Sequence, residues 1–79
     1  MKKEPMYFGV DVQKTGQNIS RLRTSKGLTV KDIQAYLGLE QPQSIYKWER
    51  GETTPSLEHL MALSQIFEVP MEDILIWIH

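Results

Sequence analysis

The sequence predicts a compact all-α fold, five short helices behind a flexible N-terminal arm, and three observations carry that expectation. Apolar residues recur every three or four positions from Ile19 to Phe67, the spacing of one helix face. Lone glycines at 27, 38 and 51 cut this pattern into helix-length pieces, while Thr15, Thr29 and Ser56 stand where helix starts need a side-chain acceptor. At 79 residues there is room for one core only, because a domain this small buries just about 60% of its unfolded surface.

Residues 1–13 contain Pro5 and Gly9, lack helical periodicity and read as an arm that Tyr7, Phe8 and Val10 are able to dock. The folded unit then spans residues 14–79. Thr15 caps a first helix in which Ile19, Leu22 and Arg23 share a face, and Gly27 stops it. Thr29, three residues before Asp32, opens a second helix with Ile33 and Leu37 as its stripe and Gly38 as its end. Pro42 suits the first position of a third helix, where its missing N–H costs nothing; Ile45 and Trp48 face inward and Gly51 closes it. Pro55 and Ser56 start a fourth, with Leu57, Leu60, Leu63, Ser64 and Phe67 on the buried side. A fifth helix runs from Met71 to the end, turning Ile74, Leu75 and Ile78 to the core and leaving Ile76 and Trp77 outside.

Composition narrows the chemistry. Cysteine is absent, which removes disulfides, thiolate metal sites and cysteine nucleophiles. His59 and His79 have no metal-ligand spacing and no neighbouring nucleophile, and no glycine-rich phosphate loop occurs, so neither an enzyme nor a cofactor-binding protein is expected. The longest apolar run, residues 74–78, falls far short of the roughly 20 residues a membrane span needs. The first residues lack a secretory signal's apolar core, and a cytoplasmic location is expected. A net charge of -1 argues globally against a non-specific nucleic-acid binder, but the charge is divided along the chain. From Lys14 to Arg50 seven basic residues face three acidic ones, whereas residues 51–79 hold five acids and no Lys or Arg. One surface therefore suits phosphates and another does not.

Two short helices joined around a glycine make a helix-turn-helix arrangement. Residues 15–74 resemble the phage-repressor-like, Xre-type helix-turn-helix family through Ile19-x-x-Leu22-Arg23, Gly27-Leu28-Thr29, Ile33-x-x-x-Leu37-Gly38, Ile45-x-x-Trp48-Glu49-x-Gly51, Pro55-Ser56-Leu57 and Val69. The resemblance implies a DNA-binding transcriptional regulator, a repressor, whose third helix at about residues 42–50 enters the major groove. Two departures bear on that helix's orientation. Seven steps separate Gly38 from Ile45, one more than the family pattern, and Gln34 stands where the family prefers Ala.

Base reading calls for polar side chains early on a helix that fits the major groove. Gln43 suits adenine, Ser44 a base or a phosphate, and Lys47 guanine; by resemblance these three occupy base-reading positions, with Gln41 and Tyr46 beside them. Phosphates are expected at Thr29, Val30 and Lys31, where the second helix begins, and at Arg50, Arg21 and Thr53. Lys26 reads as a solvated charge. By resemblance Arg23 pairs with Glu49 and fixes the angle between helices one and three. Exposed Ile76 and Trp77 on the acidic half point to a homodimer, which places two reading helices on successive half-sites of double-stranded DNA; the alternative is that both side chains fold back onto helix one or the N-terminal arm. The competing expectation is a protein-interaction module of the same fold, such as an antitoxin or a partner-dependent regulator.

Overall fold

The computed structural model describes residues 9–78; the docking expected of Tyr7 and Phe8, and the flexibility expected of the arm's first residues, lie outside them. Helix α1, Val12–Ser25, starts earlier than Thr15 because Asp11 is the cap, its carboxylate accepting from Lys14 N at 2.9 Å. Thr15 is instead buried inside α1, and its hydroxyl accepts from Ile76 N at 2.9 Å. Past Gly27 comes α2, Val30–Leu37, where both halves of the capping box form: Asp32 N donates to Thr29 Oγ1 at 3.0 Å and Thr29 N to Asp32 Oδ2 at 2.9 Å. Gly38 ends α2 at φ +68, a left-handed conformation that a β-carbon would strain.

Helix α3, Gln43–Glu49, has Pro42 as its N-cap residue, one position later than the sequence suggested. Helix α4, Leu57–Phe67, is capped by Ser56, whose hydroxyl accepts from His59 N at 3.3 Å. Leu57, expected inside, is exposed: it lies in the first turn, at the edge of the arc drawn by Leu60, Leu63 and Phe67. Lys26 pairs with Glu68 at the far end of α4, and the ammonium holds the Glu68 carboxyl below the usual carboxylate range.

The expected fifth helix shrinks to one 3-10 turn, Met71–Asp73. Beyond it the chain runs extended and pairs antiparallel with the residues ahead of α1: Asp11 N donates to Ile76 O at 2.7 Å, Ile78 N donates to Gly9 O at 2.8 Å, and Val10 lies opposite Trp77. Three isoleucines and a tryptophan within five residues favour an extended backbone over a helix. Asn18, buried in α1, completes the join by donating Nδ2 to Asp73 O at 2.7 Å and Ile74 O at 3.0 Å. Consequently Ile78 faces solvent and not the core, Ile76 is half-buried, and Trp77 is exposed. The core gathers Ile19, Leu22, Ile33, Ile45, Trp48, Leu60, Leu63 and Phe67 from the four helices and Ile74 from just past the 3-10 turn.

Candidate nucleic-acid interface

Helix α3 has two edges of opposite character. Ile45 and Trp48 are sealed in the core at 0% and 4% exposure, and the Trp48 ring packs at a tilt against His59, 5.4 Å between centroids. On the other side Gln43, Ser44, Tyr46 and Lys47 are all exposed, with Gln41 just ahead of them in the turn. The apolar edge anchors the rod while the polar edge stays free to meet hydrogen-bonding groups.

Three contacts hold α3 in place. Gly16 of α1 lies so close that a β-carbon there would collide with the Trp48 carbonyl oxygen and stand 3.1 Å from that of Glu49. Gly51, just past the helix, has no room for a β-carbon either, because Gln13 fills the space. Arg23 donates Nε to Glu49 Oε2 at 2.7 Å and Nη2 to Oε1 at 3.1 Å, and its remaining nitrogen donates to Leu28 O at 2.9 Å. The Glu49 hydrogen bonds raise the Arg23 pKa further above its ordinary value, against the desolvation that works the other way. This fork ties α1, the α1–α2 loop and α3 together.

The expected phosphate ligands are placed less uniformly. At the start of α2 the capping box takes the Asp32 N–H, leaving the Val30 and Lys31 N–H groups without an intrahelical acceptor. Lys31 and Thr29 are exposed, while the Val30 side chain packs against the core and leaves only its amide for an anion. Thr53 is exposed in the α3–α4 loop. Arg50 is exposed too but engages Glu52, Nε to Oε2 at 2.6 Å, and that pair raises the Arg50 pKa and lowers the Glu52 carboxyl. A pair this open to water is weak enough to be exchanged for a phosphate. Arg21 is not brought to the group. It sits on the edge of α1 away from α3, donates to Asn18 Oδ1 at 2.6 Å and lines a 290 Å³ cavity with Lys14, Gln17, Asn18 and Ile76. The direction follows from helix geometry: Arg23 faces α3, and a step of two residues turns Arg21 by about 200° to the other side.

Of two residues with structural weight here, Asn18 carried no local signal beyond being polar within an otherwise regular helix, and Gln34 stood out only as a departure from the Ala that the family prefers. Both act on chain segments whose positions only the folded molecule defines.

Comparison with known proteins agrees with this geometry. The family model described as helix-turn-helix matches residues 19–74. The "uncharacterized HTH-type transcriptional regulator y4dJ" of Sinorhizobium fredii is 38% identical over 61 residues, 76% of this chain and 78% of its own length. The "HTH-type transcriptional activator BcrR" of Enterococcus faecalis is 32% identical over 75% of this chain, which spans only 28% of BcrR. Among solved structures, the restriction-modification controller protein C.AhdI of Aeromonas hydrophila superimposes with a TM-score of 0.72 at 28% identity, covering 81% of this chain and 96% of that one. With the matched segment running from α1 to the 3-10 turn, the chain belongs to the helix-turn-helix family, in its Xre-type, phage-repressor-like branch.

Proposed function

We propose that the chain is a sequence-specific DNA-binding transcriptional regulator, acting in the cytoplasm as a homodimeric repressor and not as an enzyme. The observation that carries this is the division of α3: Ile45 and Trp48 lock one edge, and Gln43, Ser44 and Lys47 stand exposed along the other, uncovered by any described part of the chain. Inserted in a major groove, Gln43 pairs with adenine and Lys47 with guanine acceptors, while the amides of Val30 and Lys31 and the cation of Arg50 take the flanking phosphates. Family membership supports the same reading, since the relatives matched are named as transcriptional regulators.

Selection of bound sequences from a random double-stranded DNA library tests it. A defined motif is expected, with Gln43→Ala relaxing the preference at one base pair at a cost of about 1–3 kcal/mol. Lys47→Ala is expected to relax the preference at a guanine position by a similar amount, about 1–3 kcal/mol. If no motif emerges, or binding is salt-sensitive and indifferent to sequence, the regulator reading fails and a protein-interaction module takes its place.

A further inference from the structure

Residues 38–42 join α2 to α3, and the turn they form is gripped by one side chain. Gln34, half-buried on α2, donates Nε2 to Leu39 O at 3.3 Å and to Glu40 O at 3.2 Å. Its own carbonyl accepts from Leu39 N at 3.0 Å, so a single residue holds the turn at three points. Both side-chain partners are carbonyl oxygens, which only a donor satisfies, so the amide orientation follows from the chemistry.

The contact matters because α3 is anchored unevenly. Gly16, Trp48 and the Arg23–Glu49 fork all grip its C-terminal half. Its N-terminal end starts at Pro42, which has no side-chain cap hydrogen bond. In the N-terminal half Ile45 is the one buried anchor, and the exposed Gln41, Gln43 and Ser44 lie ahead of it. Release of the Leu39 and Glu40 carbonyls to water would let this first turn shift about Ile45, and paired hydrogen bonds to a base edge tolerate little shift.

We infer that Gln34 is a positioning residue for DNA recognition: acting through the turn, it sets the direction in which Gln41, Gln43 and Ser44 are presented. This rests on the regulator reading above. Gln34 need touch no base, and its effect falls on selectivity more than on phosphate-driven affinity.

Two variants separate this role from simple stability. Gln34→Met keeps length and packing but loses the donors; Gln34→Glu keeps shape but turns a carboxylate onto two carbonyl oxygens. Each is compared with the wild type by library selection, by specific and non-specific DNA affinity, by thermal melting and by amide 1H–15N spectra without DNA. The expected result is amide shifts concentrated in residues 39–44, a Met variant that melts close to wild type, and a specificity ratio lowered about tenfold, the order of one lost base contact, at unchanged non-specific affinity. An unaltered base preference with unmoved 39–44 amides overturns the proposal. So does a loss of binding that merely follows the unfolded fraction. If the wild type itself shows no base preference, the regulator reading fails, and the amide spectra still decide separately whether Gln34 holds the turn.

Discussion

Arg23 uses every donor nitrogen it has, two on Glu49 and one on the Leu28 carbonyl, with side-chain exposures of 16% and 13% for the two charged partners. Such a pair contributes little net stability, because desolvation offsets most of the attraction, yet removing one partner strands the other away from water. Glu49→Ala should therefore destabilise the fold by about 3 kcal/mol in urea titrations, whereas replacing both residues by apolar ones of similar volume should cost far less. A loss below about 0.5 kcal/mol would show the pair to be as dispensable as an exposed surface bridge. The surviving fold in the double replacement is itself informative: if base preference drops while stability holds, the fork orients α3 and does not merely support it. Arg50 and Glu52 make the contrast, being closer in sequence and fully open to solvent, and so free to separate when a phosphate arrives.

At the level of elements, α1 packs closely on α3, and the approach depends on the missing side chain of Gly16. Gly16→Ala gains helix propensity in α1, but its β-carbon meets backbone, which cannot rotate away as a side chain would. We expect a net destabilisation of about 1–3 kcal/mol in chemical denaturation, with α3 displaced and DNA selectivity weakened alongside. A variant as stable as wild type would mean that the two helices have slack between them. That contact also marks the boundary of what a sequence discloses. The cap at Thr29, the stops at Gly27 and Gly38 and the two-edged pattern of α3 are local, each written within four or five residues, and they were legible. The start of α1 at Asp11 was not, because Thr15 carries an equally good capping side chain and only the distant Ile76 amide, which claims that hydroxyl, decides between them. The final segment failed for the same reason: its apolar residues fit a helix, but pairing with residues 9–11 and the Asn18 amide satisfies the extended backbone. Arg21 lies apart from α3: its charge was visible in the sequence, and the side of α1 that faces α3 was not.

For the whole molecule, the join between residues 9–11 and the C-terminal segment decides which apolar side chains stand exposed at this end. The helix expected there would have buried Ile78 and exposed Ile76; the extended segment does the reverse, leaving Trp77 and Ile78 at 45% and 40% exposure. Ile76 is tied to Thr15 and Asp11 through its backbone and contributes less surface than first expected. A homodimer built on this end places Trp77 at its centre, on the half of the chain that carries acids but no Lys or Arg, so that the basic half remains available for phosphates. Two reading helices related by a two-fold axis would then meet half-sites about 34 Å apart, and a selected DNA motif should be a near-palindrome. Trp77→Glu puts a charge at the centre of that contact without touching the core or α3. It should shift sedimentation toward a monomer and weaken binding to the two-fold site together, while affinity for an isolated half-site stays as it was. A wild type that sediments as a monomer up to the highest concentrations, and selects a motif with no symmetry, would instead assign the exposed tryptophan to some other contact and leave the reading helix working alone.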